Sequence, residues 1–590
     1  GCQDTDYTLR LMIFFEKKLI DLGLYSTFRN LIMSASRVLT SVEKNGLYLD
    51  REFNNQLLET YKPKIDAARQ AIYDLPRVKE FEKKYNQEKI DKYIQSIEAE
   101  LEELDYNDPK DKRKIVSREQ KISNIKAGIF TTKKEQELIR PINLGSPVDL
   151  PALMYSEEGF HFEVIKNNES GKPSTDEETL TNLRLTVKKP DSPKAIFLDR
   201  LLELRGLEKM YKTYIEGWNE KVQDDDRLHG RFLIHGTTSG RLSSAEPNAQ
   251  QIPKTSVDPN IKLQLKAPKG TLYIASDFSQ AELRIMAHLS GDETYLNAFN
   301  SGQDPHLAIA ATKYHIPYEE ALKIYEDENC PEHKIWKVRR KQAKQIAFGL
   351  IYGIGAKLLA VKLSDPKSGI IVTPEEAQKE MDIFFGQHPK LKTFLKKQEK
   401  FLRKNGHLVS LFGRKRRLPQ IYSNDKGEEA YALRLALNFP CQSAASDMCL
   451  FGSILIYYLM RQGKLPSTKS VCLVHDANYQ ITKPENINIW SIYEMWQIYR
   501  NPLTKPYFGF QIDDVTMDME FVIGRSMAEE LPFIPGYDYK KMLEPDFSVE
   551  EYMEEHKKYK HIPISEYKKR FNKQMKQYEK DFERTHGMES

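Results

Sequence analysis

An α+β fold is what the sequence predicts, and three observations predict it. Helical periods fill most of the 590 residues. Against that background the short apolar run 272–275 (LYIA) reads as a buried strand. Two further runs, 471–474 and 479–482, read as strands joined through His475-Asp476, a tight turn at the edge of an antiparallel sheet. At 40% hydrophobic and 29% charged residues, the chain has material for a large core and several domains or subdomains. Its 89 basic and 85 acidic residues leave a formal charge of only +4, so local patches rather than overall charge must argue for a polyanionic partner. Five cysteines without a CxxC pair fit a reducing, intracellular compartment and argue against a disulfide framework or a structural zinc site. No apolar run reads as long enough to span a bilayer, so no membrane partner is expected. The chain opens Gly1-Cys2-Gln3-Asp4 instead of with Met, as a fragment does, and a targeting segment would then lie upstream.

Taken in order, residues 1–50 read as helices, with Leu9, Leu11, Met12, Phe15 and Leu19 at helical spacing. The turn Lys44-Asn45-Gly46 then introduces an extended piece at 47–49. Between 78 and 130, Lys, Glu and Gln dominate. Ile90, Ile94, Ile97, Leu101 and Leu104 step by four and three, and Ile115, Ile122, Ile125 and Ile129 do the same after the break Asn107-Asp108-Pro109. That pattern predicts a long antiparallel helical hairpin, whose lysines suit a solvated outer face as well as a contact role. The segment 141–186 reads as irregular, and a helix at 196–218 ends before Asp224-Asp225-Asp226. Helical periods run from 281 to 403, residues 408–413 mark a hairpin-like return, and a helix fills 431–458. Residues 529–590 are charged and helical in period, and read as an appended tail.

Five stretches carry chemistry. The strand at 272–275 delivers Asp277 where it gives way to a helix bearing Glu282 and Arg284, in SDFSQAELR at 276–284. A carboxylate on a strand end can hold a metal rigidly, although an Asp N-cap fits the same residues. Asp476 is a second rigid carboxylate, in a turn that alone would also fit the surface. If the two strands are neighbours, the pair can bind two divalent cations for in-line phosphoryl transfer, and oxygen ligands with room for substrate phosphates favour magnesium. In RKQAKQIAFGLIYG, Arg340, Lys344, Phe348 and Tyr352 recur every fourth residue. Each step turns about 40° around a helix, so the four make one slowly spiralling face. Its cations can hold a triphosphate and its aromatics can pack on a sugar or base, with a solvated amphipathic helix as the alternative. His306 offers a further phosphate donor. The loop TTSGRLSSAEPNAQQIP at 237–253 is almost free of apolar residues and is expected outside the core, displaying Arg241, Asn248, Gln250 and Gln251. Arg434, Asn438 and Gln442, four apart on one helix face, suit the minor-groove acceptors that every base pair presents, or a buried hydrogen-bonding network.

In combination, SDFSQAELRIMAHLSGD, RKQAKQIAFGLIYG and VHDA resemble the three polymerase motifs of family A DNA polymerases, the bacterial DNA polymerase I-like and phage replicative enzymes. TTSGRLSSAEPNAQQIP and RLALNFPCQSAASD resemble that family's two primer-template segments, and the likeness runs from about 35 to 525. The resemblance implies a right-hand fold: a thumb with a helical arm at 31–195, a palm at 196–290 and 430–528, and fingers at 291–429. A remnant of an exonuclease domain at 1–30 and a charged extension at 529–590 would flank it. The implied activity is template-directed DNA synthesis with primer-template DNA, deoxynucleoside triphosphates and two magnesium ions. A processivity factor or a separate exonuclease portion would be a further partner. Carried over by position, Asp277 and Asp476 with the backbone carbonyl of Phe278 bind metal. Lys344 grips the triphosphate and protonates the leaving pyrophosphate, Arg340 and His306 add phosphate contacts, and Gln280 lies at the nucleotide. Glu282 packed on Tyr352 gates against a ribose 2′-hydroxyl, and Phe348 predicts discrimination against dideoxynucleotides. Arg241, Asn248, Gln250, Arg434, Asn438, Gln442 and His475 meet the primer-template end.

Three departures qualify the resemblance. The family usually has Glu directly after the His-Asp of its third motif, where Ala477 stands; catalysis is expected to survive on Asp476, with altered charge and metal affinity. CQDTDYTLRL at the start resembles the tail of a proofreading exonuclease, with Asp4 at its last metal ligand, so the chain alone is not expected to proofread. The tail beyond 529 extends past the family's pattern. A catalytically weak DNA-holding scaffold is the competing reading, favoured by Ala477 alone, and RNA synthesis is disfavoured by Glu282.

Overall fold

The computed structural model describes residues 2–364, 372–559, 562, 564 and 566, so part of the expected tail, including 567–590, lies outside the described residues. The chain divides into two compact units, Gly1–Asn54 with Trp218–Ser590, and Asn55–Gly217.

The first unit is built on a five-stranded antiparallel sheet. Its strands are β1 (Leu272–Phe278), β2 (Lys469–Val474), β3 (Ala477–Thr482), β4 (Met519–Gly524) and β5 (Leu531–Pro532), in the order β5-β4-β1-β3-β2. β1 is central and nearly wholly buried, as its apolar run requires, but it continues through Asp277 to Phe278. Five helices of this unit brace the sheet or carry predicted site residues: α1 (Met33–Asn45), α2 (Ala281–Ser290), α3 (His333–Ile351), α4 (Lys426–Arg461) and α5 (Ile489–Arg500). Leu272, Ile274 and Phe278 share one core with Met448 and Phe451 of α4 and with Ile492 and Tyr499 of α5. α4 and α5 approach closely because residue 452 is glycine; a Cβ there would run into the Tyr499 ring. Tyr499 in turn meets the Phe278 ring edge-on at 5.1 Å, so tight helix packing braces the end of the central strand. α1 is tied to the outer strand, its Asn45 Nδ2 donating to the Ser470 carbonyl at 2.8 Å.

One expectation is overturned here: α4 is long and apolar enough, by length and composition, to cross a membrane. Its most apolar window is 67% buried inside the fold, which is what the central helix of a large core shows.

In the second unit, helices Pro76–Glu102 and Pro109–Lys126 form the expected hairpin, with Ile94, Ile97 and Ile125 buried between them. Asp108 caps the second helix by accepting from the Lys110 N–H, and Pro109 takes the first helical position, where no donor is needed. The stretch 141–186 is less irregular than expected, because Asp149–Tyr155 and Glu177–Thr186 are helical. Helix Pro193–Lys209 runs on through a π-helical turn, Met210–Glu216, and packs Phe197 on Phe160 with ring centroids 4.2 Å apart. This unit runs from Asn55 to Gly217, so it includes the helix from Pro193, whereas α1 belongs to the first unit and bonds the outer strand of the sheet.

Candidate active site

Register assembles the acidic side of the site. Asp277 lies opposite Ala477 of β3 on one flank and opposite Glu520 of β4 on the other. Directly paired residues point to one face of a sheet, so the three form a row, with Asp476 in the turn immediately before Ala477. Asp277 is thus a strand residue and not a helix N-cap; the residue before α2 is Gln280, left-handed at φ 59°, with its Oε1 buried and without a hydrogen-bond partner among the described residues. Loss of hydration pushes the Asp277 carboxyl up to about 7, reinforced by the negative charges of Asp476, Glu520 and Glu530. The residue stays open to solvent all the same, so surrounding protein thins its hydration without closing over it.

This donor set fits a divalent cation. A carboxyl whose proton is held by neighbouring negative charge is relieved by a bound dication, and oxygen-only donors suit magnesium. Among the described residues no group of three or more His, Cys, Asp or Glu side chains is arranged to hold a metal ion. Asp277 and Asp476 are the two carboxylates that could hold such an ion, with the Phe278 carbonyl adjacent. Glu520 and Glu530 act on Asp277 through charge, and Glu530 is itself paired with Lys262 at 2.8 Å.

The turn carrying Asp476 is held from outside the sheet. His475 has a positive φ of 55°, uncommon for a residue with a Cβ. Its N–H donates to Gln250 Oε1 at 2.9 Å, while Gln250 Nε2 donates to the Leu473 carbonyl. The loop at 237–253 is consequently not wholly outside the core: Gln250 is 9% exposed, and Ser239, Ser244 and Ala249 are buried as well. Loop placement also depends on Gly240, at φ 88°, where a Cβ would come within 2.7 Å of Arg414 Nε. Arg414 is fixed by Asp447 of α4, with Nε 2.9 Å from both carboxylate oxygens. Burial pushes the Asp447 carboxyl up to about 6 against the pull of that guanidinium.

The opposite side of the site is gathered around Glu282 of α2. Its carboxylate accepts from the Tyr352 hydroxyl at the end of α3 and from the Arg241 guanidinium of the loop. Phe348 stacks near Tyr352 at 6.3 Å, and His306 lies 5.7 Å from Phe348. The His306 ring is 1% exposed, neither nitrogen has a partner among the described residues, and burial lowers its pKa to about 4. Arg340 is engaged by Asp304 at 2.6 Å, whereas Lys344 extends along the face with its Nζ 5.8 Å from the Phe348 ring centroid. Gly353, at φ 68°, lets the end of α3 abut α4; a Cβ would stand 3.4 Å from Arg434 Cγ. On α4, Arg434 is exposed, Asn438 and Gln442 are half-buried, and Asn438 Oδ1 has no hydrogen-bond partner among the described residues. Asn248 uses its side chain locally, accepting from the Gln250 N–H at 3.0 Å.

The five predicted stretches are therefore joined by contact. Three residues were not foreseen: Glu520 and Glu530, which register and charge bring to Asp277, and Asp304, which orients Arg340. Asp304 could have been noticed two residues before His306 in a turn that opens a helix. The two glutamates had no local signal, since only strand pairing reveals them.

A five-stranded antiparallel sheet bearing two carboxylates, linked through Glu282 to a helix of cations and aromatics, defines a right-hand polymerase fold. The chain belongs to DNA polymerase family A, whose pattern matches residues 112–489. It is 32% identical over 319 residues to the thermostable DNA polymerase I of Thermus aquaticus, covering 54% of this chain and 35% of that protein. It is also 32% identical over 336 residues to DNA polymerase I of Pseudomonas aeruginosa, covering 57% and 33%. The chain thus spans about a third of the length of the curated relatives it matches. Among solved structures, the polymerase domain of Pol1 from M. smegmatis, in complex with DNA primer-template and dNTP, superposes with a TM-score of 0.65 at 24% identity, over 88% of this chain and 74% of that one. That likeness shows the fold.

Proposed function

We propose that the chain is a DNA-directed DNA polymerase, adding deoxynucleotides to a primer 3′-hydroxyl on a template and releasing pyrophosphate. The observation that supports this most is the strand register that sets Asp277 beside the turn bearing Asp476. These two carboxylates and the Phe278 carbonyl would hold magnesium. When bound, two such ions supply activation of the attacking oxygen and stabilisation of the leaving one.

The chain's own residues do the rest. Lys344 and Arg340 bind the triphosphate, with Arg340 pre-oriented by Asp304, and Lys344 gives a proton to the departing pyrophosphate. Burial keeps the His306 ring neutral when the site is empty, and a triphosphate beside it favours the protonated, donating form. Gln280 lies at the nucleotide, directly before α2. Glu282, held by Tyr352, fills the space a 2′-hydroxyl would need, and the Phe348–Tyr352 stack forms the wall against the sugar and base. Arg241, Asn248, His475, Arg434, Asn438 and Gln442 meet the primer-template end, their amide and guanidinium groups matching acceptors common to every base pair. In this reading the sheet and its flanking helices are the palm, the helices between 291 and 429 the fingers, and the hairpin of the second unit an arm of the thumb.

Primer extension with deoxy- and ribonucleotides tests the reading. Extension with deoxynucleotides and little with ribonucleotides is expected. No extension at all would favour the second reading, a DNA-holding scaffold, for which Ala477 is the specific observation. Equal use of ribonucleotides would point to RNA synthesis.

A further inference from the structure

Gln250 belongs by its motif to the residues expected on DNA, yet its carboxamide is already used. It is 9% exposed, and both halves of the amide are bonded to one short stretch, Oε1 to the His475 N–H and Nε2 to the Leu473 carbonyl. β2 is an outer strand of the sheet, so these two backbone groups have no neighbouring strand to pair with. The Gln250 carboxamide pairs with both, as a peptide group of one more strand would. Between the two bonded residues lies Val474, which pairs with Ala477 to close the hairpin. Asp476 sits in the two-residue turn so closed, and His475 beside it holds φ at 55°. A positive φ at a residue with a Cβ persists only where the surroundings over-determine it. Gln250 is itself fixed, because Asn248 caps the short 3₁₀ turn Ala249–Gln251 and accepts the Gln250 N–H.

We propose that Gln250 is a positioning residue for Asp476: its carboxamide extends the sheet edge by one peptide group and locks the turn so that Asp476 stays beside Asp277. Rather than touching DNA, it acts on the reaction through the hairpin. This rests on the polymerase reading, and it separates Gln250 from Arg434, Asn438 and Gln442, which have the same expected role.

The test is Gln250→Met, which keeps the volume and removes both bonds. Single-nucleotide incorporation is measured against magnesium concentration, and primer-template affinity is measured by fluorescence anisotropy in EDTA. Positioning predicts that kcat falls at least about tenfold and half-activation needs several-fold more magnesium, while the primer-template Kd stays within twofold. A tenfold weaker Kd with kcat unchanged would overturn it in favour of a DNA contact. A lowered melting temperature with unchanged kcat and magnesium dependence would overturn it in favour of a purely structural role. If Gln250→Met does not fold, Gln250→Glu serves, since it still accepts the His475 N–H but cannot donate to Leu473; the same kcat and Kd criteria then apply. The unsubstituted chain is assayed alongside. Its failure to extend a primer would remove the polymerase reading itself, whereas normal extension by both proteins would remove only the role of Gln250.

Discussion

Two polar stretches look alike as sequence, the loop at 237–253 and the α4 face Arg434, Asn438 and Gln442, yet their amides are used in opposite ways. In the loop, the Gln250 amide is bonded to backbone through both its oxygen and its nitrogen, and Arg241 is drawn onto Glu282. On α4, Arg434 is exposed and Asn438 Oδ1 is buried without a partner among the described residues. An amide bonded on both its oxygen and its nitrogen is held in one orientation, whereas a buried amide oxygen without a partner is costly until one arrives. Gln250 of the loop is therefore read as builder of the chemical site and the α4 face as binder, and substitutions should separate the two.

Within this comparison, the largest expected effect comes from Glu282, where the loop and α3 meet. Glu282→Ala removes the group that holds Tyr352 and Arg241, and it should raise ribonucleotide incorporation relative to deoxynucleotide by about a hundredfold, measured as the ratio of kcat/KM values. Next is stability. Gln250→Met strands the His475 N–H and the Leu473 carbonyl and should destabilise the fold by about 2 kcal/mol in urea titration, whereas Asn438→Leu should be neutral or stabilising. In DNA binding the order reverses, and Asn438→Leu should weaken primer-template affinity about tenfold, equivalent to about 1.4 kcal/mol.

A pH experiment sharpens the same contrast. The Asp277 carboxyl, raised to about 7, binds a proton in competition with metal, so at limiting magnesium the rate should fall up to about tenfold per unit as pH drops below 7. More magnesium should move that limb to lower pH, while primer-template affinity measured in EDTA changes little between pH 6 and 8. The linkage has a defined sign. A carboxyl whose folded pKa is raised favours folding below its ordinary value near 4, and that contribution is lost as pH rises through about 7. Asp277→Asn should therefore stabilise the metal-free protein at pH 8 and not at pH 4, by on the order of 1 kcal/mol once solvent screening of this open carboxylate is allowed for. The smallest effect is expected from Ala477→Glu, which adds a carboxylate to the row and should lower the magnesium needed for half-activation two- to fivefold, roughly 0.4–1 kcal/mol, without changing DNA affinity.

Which of these features the sequence disclosed depends on where their causes lie. The strands at 471–474 and 479–482 and the turn between them were legible because apolar runs bounded by a polar turn are a local signal. The face of Arg340, Lys344, Phe348 and Tyr352 was legible because helical spacing is local too, and α3 holds it. The inward aim of Gln250 was hidden: a stretch with few apolar residues can still be buried when its partner is the backbone of a strand more than two hundred residues away. Glu520 was hidden for the same reason, since it joins Asp277 only through the pairing of β4 with β1. Asp277 was read near a strand end, and of the two readings its residues allowed the helix cap falls away, because the strand's hydrogen bonds run three residues past its apolar run.

The central claim is that Asp476, held in its turn beside Asp277, performs chemistry and does not merely hold DNA. The most direct measurement is the single-turnover rate of incorporation by Asp476→Asn at saturating magnesium, with primer-template affinity determined on the same protein. The expected result is a rate reduced about a thousandfold or more, several kcal/mol of lost stabilisation, with affinity within a few-fold of the unsubstituted chain. Incorporation at the unsubstituted rate would contradict it.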